Sequence, residues 1–543
     1  MEIKKLTISE SNSLFDAYLN NFNKVKDFYP YNFESDWNVV IQKRLSEKFE
    51  RKKIVEILTR QNKGWNASQS VLENISKLNT NNSFVVMTGQ QAGVFTGPLY
   101  TIYKILTTIK LSVWLRSQYS DFNFIPCFWM EVDDHDFEEI NHIQFFNKNN
   151  ELHQLELSEE SNESLKPIYT RQINSEIADW KQTIKDEFHQ TEFMEDVLKT
   201  FFEQYLSQQK YSDAFANLLT ELFGKYGLVV LNPAEPEVKN LGRPIFEKAL
   251  ETNNQIHKVF EERNQTLTKS ELPLQIQLQP NQTLLFYMDN EGNRVRIDAG
   301  QNGDYLLKYH DSNKTLAKSE LAKIMKNTPE QISPNVALRP LVQDSIFPTV
   351  GYVAGPAEIT YFAQISVIYN YFELTLPVIY PRHRITVIEN KIQRILEKLE
   401  IDVVNLFHHK SDFLEFHIQQ KQSKTTFIEI QSIQSEINQK VDQLEKIISE
   451  TDPTLINTIQ KTGQKINSNI EQIIHKLTNA IEQKEAVEIN QVKRTLLHLF
   501  PENNFQERVL NIIYLLIKYG PDLIHNLHEK LPVDSKEHFI LYL

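Results

Sequence analysis

Between residues 83 and 136 the chain reads as strand, glycine loop, helix and strand, and this order restricts the fold more than any other feature. "SFVVMTG" (83–89) is a short, continuous apolar run of strand length. "PLYTIYKILTTIKLSVWLRSQY" (98–119) has helical spacing and opens with proline, which is favoured at the first helical position. "FNFIPCFWMEVDDHD" (122–136) is a second apolar strand that runs into acidic residues and a histidine. Such a βαβ unit predicts an α/β fold, a parallel sheet with helices packed on it. Cys127, the single cysteine, lies within the second apolar run, where burial favours an inert core thiol over a nucleophile.

At 543 residues the chain exceeds one hydrophobic core, so at least two structural units are expected. Residues 1–385 read as the α/β core. Within it, 150–225 is a polar, helical insertion, and 265–330 holds shorter alternating runs that predict a small antiparallel element. Residues 333–364 return to loop, strand, glycine loop and helix. From 386 to 500 the character is helical. Apolar residues fall at Ile430, Ile433, Ile437, Val441, Leu444 and Ile448, then at Ile459, Ile466, Ile470, Ile473, Leu477 and Ile481. Steps of three, four and seven make a coiled-coil seam, and Asp452-Pro453 between the two sets predicts an antiparallel hairpin. Its apolar surface needs cover, and self-association leads over packing wholly against its own core. The tail, 501–543, is apolar enough to fold back onto the body.

Net charge is −13 with no long basic run, which argues against a nucleic-acid surface. No segment approaches 18 uninterrupted apolar residues, so no membrane span is expected. "MEIKKLTISESNSLF" lacks the apolar core of a secretion signal, and one cysteine suits a reducing cytosol; a cytoplasmic protein is expected.

Three stretches can carry chemistry. "TGQQAGVFTGP" (88–98) holds three of the fourteen glycines, Gly89, Gly93 and Gly97, with Thr88, Gln90, Gln91 and Thr96. At a strand-to-helix turn, glycines allow positive φ and close backbone approach, and the helix N-terminus favours an anion. The stretch matches neither standard nucleotide signature. A structural turn and a pocket for a polar ligand both fit. "EVDDHDFEEIN" (131–141) places Asp134, His135 and Asp136 at a strand end, where open α/β sheets bind ligands. They can supply a general base or an oriented histidine, or form a solvated loop; without a second histidine at helical spacing, no metal centre is expected. "LRPLVQDSIFPTVGYVAGPAEITYFAQ" supplies Arg339, Gln343, Asp344, Gly351, Gly355, Glu358, Tyr361 and Gln364. "YPRHR" (380–384) adds Arg382 and His383, at another strand end or on a surface turn. Arg339 can clamp a carboxylate or phosphate.

Taken in order, "TGQQAGVFTGPLYTIYK", "DDHDFEEIN", "GLVVLNPAEPEVK", "SPNVALRPLVQD", "GYVAGPAEITYFAQ" and "LFPENNFQERVLN" resemble the bacillithiol biosynthesis cysteine-adding enzymes, cysteine ligases of low-molecular-weight thiol synthesis. "EVDDHD" stands where the family has glycine-glutamate before its aspartate-histidine-aspartate, so the correspondence covers Asp134, His135 and Asp136 and not Glu131 or Asp133. The resemblance implies a Rossmann-like core with connecting-peptide insertions and a coiled-coil domain used for homodimerisation. It implies a carbon–nitrogen ligase joining cysteine to glucosaminyl-malate in the last step of bacillithiol formation.

Under that resemblance Gly89, Gly93, Thr96 and Gly97 shape a cradle for phosphate or carboxylate, and Gln90 and Gln91 read a polar substrate. Asp134, His135 and Asp136 orient the amine or accept its proton, Arg339 or Arg382 holds the malate carboxylates, and the Gly355–Glu358–Tyr361 segment forms a second wall. Amide formation from a free carboxylate requires an activated acyl group. ATP is the activator by analogy alone, since the chain shows no Walker lysine and no HIGH or KMSKS signature. The competing readings are a nucleotide-binding transferase on a related core and a non-catalytic coiled-coil dimer scaffold.

Overall fold

The two apolar runs of the βαβ unit pair side by side as Ser83–Gln91 and Asn123–Glu131, parallel throughout, with Val85 beside Ile125 and Gln91 beside Glu131. They lie at the centre of a computed structural model that describes residues 1–8, 13–160, 163–309, 312–421, 424–484 and 486–543. Thr349–Ala354 and then Val378–Pro381 extend the sheet on one side, and Val229–Leu231 on the other, all parallel. Numbered along the chain the spatial order is 3-2-1-4-5, the doubly wound arrangement of a Rossmann-like sheet. These strands are buried on both faces, which is why they read as continuous apolar runs and not as alternations.

The Leu99–Gln118 helix returns the chain from the first strand to the second and is buried on most of its circumference. The Asp522–Lys530 helix packs on it, with Lys110 Nζ donating to the His528 carbonyl. The preceding Ile512–Tyr519 helix is buried from Ile512 to Ile517. Cys127 is buried in the second strand, and burial pushes its thiol pKa up, away from thiolate chemistry.

Residues 177–223 form three helices, Ile177–Glu187, Met194–Gln204 and Tyr211–Phe223. Residues 282–334 form an antiparallel sheet in the order Asn313–Leu316, Tyr305–Lys308, Arg294–Ala299, Gln282–Met288, Ile332–Pro334.

The chain divides into two units, one of Ile3–Thr386 with Glu507–Ile540, the other of Met1–Glu2, Val387–Gln506 and Leu541–Leu543. The second unit contains the helices Lys424–Thr451 and Ile456–Lys484, joined through Asp452, whose carboxylate accepts from the Thr454 amide at 3.0 Å. Gln434 bonds Asn467, Asn467 bonds Asn438, and Gln460 bonds Glu445, a pairing that runs antiparallel. Gly463 admits Val441 so closely that an added Cβ would sit 2.9 Å from its methyl. The seam is narrower than the sequence pattern. Ile437, Val441, Ile448, Ile459, Ile466 and Ile470 are half-buried, whereas Ile433, Leu444 and Ile473 stand exposed. The side chain of Ile481 lies outside the described residues. Among the described residues, no helix is long and apolar enough to cross a membrane.

Candidate active site

A cavity of about 440 Å³ opens at the carboxyl ends of the central strands of the α/β unit, within the usual range for small-molecule sites. This is the topological switch point, where the chain's first strand lies between its second and fourth. The sheet register sets Gln91 next to Glu131 at this edge, and Gln90 next to Met130. Gly355 and Glu358 arrive from the end of the neighbouring Thr349–Ala354 strand and the start of the Pro356–Phe372 helix. Gly89 leaves the room that Glu131 uses: an added Cβ would lie 2.9 Å from the Trp129 carbonyl and 3.3 Å from Glu131 Oε1.

Most of the charge around the cavity is already paired. Arg339 Nη1 meets Glu131 Oε2 at 2.5 Å, Lys104 Nζ meets Glu358 Oε2 at 2.6 Å, and Arg294 Nη1 meets Asp134 Oδ1 at 3.2 Å. Asp133 pairs with the buried Lys239, and Arg382 meets the buried Glu507 at 2.6 Å. Arg339 and Arg382, expected to hold substrate carboxylates, therefore face the cavity with protein carboxylates already on them. Burial lifts the Glu131 carboxyl above its ordinary value, even with Arg339 against it.

Two charged groups stand apart. Among the described residues the side chain of Arg508, exposed at the cavity, has neither an ion pair nor a hydrogen bond. Glu139 has no ion pair among the described residues, and its Oε2 accepts from Gln91 Nε2 at 2.7 Å. Burial, then the Glu131, Asp136 and Asp134 carboxylates, push the Glu139 pKa up to about 7. Tyr100 lies between these groups; its hydroxyl accepts from Gln90 Nε2 at 3.3 Å, while Lys104 donates to Gln90 Oε1 at 3.1 Å and to the Gly89 carbonyl at 2.8 Å.

The glycine loops do not form phosphate cradles. Beyond Gln91 the first loop is filled by its own side chains: the Phe95 ring contacts Trp180, Phe201, Phe202 and Tyr205 at centroid distances of 5.0–5.9 Å. Asn511 Nδ2 donates to the Phe95 and Gly97 carbonyls, and Tyr205 to the Gly93 carbonyl. Thr88 is buried, bonded to the Val353 carbonyl at 2.9 Å, and Thr96 is fully buried. Gly93, Thr96 and Gly97 thus build a turn instead of touching the cavity. The first amide of the following helix, at Leu99, is taken by the Leu510 carbonyl. At the second loop the Gly355 amide donates to Glu358 Oε2 at 2.7 Å, so a side chain of the same helix occupies the anion position. Gly351 is within a strand, against Trp37.

Of Asp134, His135 and Asp136, Asp134 alone lines the cavity. His135 and Asp136 line an adjoining depression with Glu138, Glu159 and Ser164, and Asp134 forms a wall of both. After the strand ends at Glu131, the carbonyls of Val132, Asp134 and His135 accept from Tyr169, Ile168 and Arg171, which carries the chain away from the sheet edge. Burial, then the Arg294 guanidinium, push the His135 imidazole below its ordinary pKa, leaving it neutral at pH 7. Burial opposes the Asp134 carboxylate, but Arg294 and the His135 amide hold it below the usual range. Asp344 and Gln364 are structural, bonded to Tyr369 at 2.6 Å and to the Gln275 and Ile276 amides at 2.8 Å. His383 is buried between Thr107 and the Pro532 carbonyl. Tyr361 forms part of the cavity wall beside Arg339.

Sequence reasoning missed Tyr100, Lys104, Glu131, Glu139, Arg294 and Arg508. Tyr100 and Lys104 sit four apart at the start of a helix whose N-terminus had been singled out, a spacing that places them on one face. Nothing local marks Arg508.

The family described as "Bacillithiol biosynthesis BshC, N-terminal Rossmann-like domain" matches residues 1–383, and "Bacillithiol biosynthesis BshC, C-terminal coiled-coil domain" matches residues 385–543. A protein of Chloroherpeton thalassium named "Putative cysteine ligase BshC" is 32% identical over 93% of this chain and 91% of its own. Proteins of the same name from Salinibacter ruber and Bacillus cereus are 30% and 27% identical, over 97% and 100% of this chain and 96% and 100% of theirs. With both domains matched in order and relatives aligned from end to end, the chain belongs to the BshC family of bacillithiol biosynthesis.

Proposed function

We propose that this protein is a carbon–nitrogen ligase that adds L-cysteine to the amine of glucosaminyl-malate, the last step of bacillithiol formation, in the cytoplasm. The observation that carries this reading is the charge left over in the switch-point cavity. One unpaired cation, Arg508, suits a carboxylate of the malyl group, and one carboxyl near neutrality, Glu139, suits an amine that must lose a proton. Gln90 and Tyr100 offer polar contacts to a sugar between them. The name carried by the relatives agrees with a cysteine substrate.

Amide formation from free cysteine needs its carboxyl activated, and ATP is the activator we propose. The exposed Ile433, Leu444, Ile447 and Ile473 of the helical hairpin support a homodimer formed through that hairpin. The test is direct. Purified protein with cysteine, glucosaminyl-malate and ATP should yield a condensed product by mass spectrometry, with cysteine-dependent ATP–pyrophosphate exchange. Normal bacillithiol and no accumulated glucosaminyl-malate in a deletion strain would overturn the reading; nucleotide binding indifferent to cysteine would favour a transferase.

A further inference from the structure

The cavity holds a carboxylate oxygen that faces no donor of its own. Gln91 Nε2 is committed to Glu139, which turns Gln91 Oε1 the other way, buried and without a hydrogen-bond partner. Glu139 Oε1 has no hydrogen bond among the described residues either, and Glu139 remains open to the cavity. Cations such as Lys104 and Arg339 are engaged with other carboxylates. Glu139 is exposed at the cavity, so a donor carried by a ligand can reach this oxygen. The missing partner is a group with several N–H bonds, and an ammonium has that chemistry.

We infer that Glu139, held by Gln91, is the general base that takes the proton from the substrate amine. The inference rests on the ligase reading and deepens it. In the step, the ammonium of the amino sugar gives one proton to the Glu139 carboxylate. The freed nitrogen lone pair attacks the carbonyl carbon of a cysteine activated as an acyl phosphate-type anhydride. The N–C bond forms, the C–O bond to the phosphate-type leaving group breaks with its electron pair, and the second nitrogen proton passes to solvent. Gln91 is a positioning residue: its Nε2 fixes the carboxylate. His135 faces the adjacent depression and stays outside this step.

The carboxylate form is the active one, so kcat/KM for the amine should fall as pH drops through about 7, the value to which burial and neighbouring carboxylates bring Glu139. Glu139→Gln in the full chain should lower kcat by about 10²–10⁴-fold and abolish this limb, with KM for the amine within about threefold. Glu139→Asp, which keeps a carboxylate, should retain the limb at reduced rate, and His135→Ala should retain it as well. A second readout is independent of turnover. Because the folded-state pKa is raised, wild-type stability should decline relative to Glu139→Gln as pH rises from about 4.5 to 7, read as melting temperature. Wild-type turnover with the limb intact in Glu139→Gln, or a limb lost in His135→Ala alone, overturns the assignment. No condensed product from the wild type overturns the ligase reading itself.

Discussion

Arg508 carries its charge into the cavity from a stretch, "NNFQERVLN", that looks like an ordinary helical approach. Its immediate neighbour Glu507 is fully committed, bridging Arg382 and the Ile385 amide. Of two adjacent charges, one therefore builds the wall and the other faces the ligand. A charge-assisted hydrogen bond contributes about 1.5–3 kcal/mol, so Arg508→Gln should raise KM for the dicarboxylate amine about 10–100-fold and leave kcat nearly unchanged. Steady-state titration of the amine checks this, and the penalty should shrink in high salt because the site is exposed. At this scale the sequence was partly legible. Gln90, Gln91, Asp134, Arg339, Gly355, Glu358, Tyr361 and Arg382 do line the cavity. The sequence could not say that both of these arginines would be answered by glutamates 208 and 125 positions away. That His135 lines the adjoining depression was hidden for a similar reason, because the bonds that turn its backbone come from residues 168–171.

The glycine-rich segment shows how an element can be recognised and still be misread. Strand, helix and strand follow from apolar spacing, which local chemistry writes into the sequence. Whether the loop between them cradles a ligand depends on what fills it. Here Phe95 does, held at φ +51° with Thr96 at +77°. Gly97, at φ 67° and ψ −152°, occupies a region open essentially to glycine alone. Gly97→Ala should therefore destabilise the protein by about 1–3 kcal/mol, seen as a lower urea midpoint with an unchanged slope, while substrate KM stays near wild type. The helical hairpin gives the complementary case. Its period was readable, but the six apolar positions of each helix spread wider than the facing helix covers, and Ile433 and Ile473 remain outside.

For the whole molecule, that uncovered stripe is the face on which the proposed homodimer rests. Replacing Ile433 and Ile473 together with Glu should reduce the light-scattering mass to that of one chain, 63.7 kDa, without loss of helical signal. A mutant that still scatters as a dimer would place the interface elsewhere. The sheet order was beyond the sequence, since a parallel pairing leaves no mark on the strands that would tell which neighbours they choose. The pairing of Ser83–Gln91 with Thr349–Ala354 spans roughly 260 residues, and loop-closure entropy must be met before such a contact forms.

That long span has a meaning for synthesis. With translation at about 5–20 residues per second, the central strand waits on the order of 10–50 s for its neighbour to be made, and the cavity waits longer still for residue 508. During that interval the nascent chain presents an unpaired apolar strand edge and no competent site. Birth of this protein is thus a period of aggregation risk, and co-translational chaperone contact around the emerging 83–131 segment should govern its yield more than the stability of the finished fold.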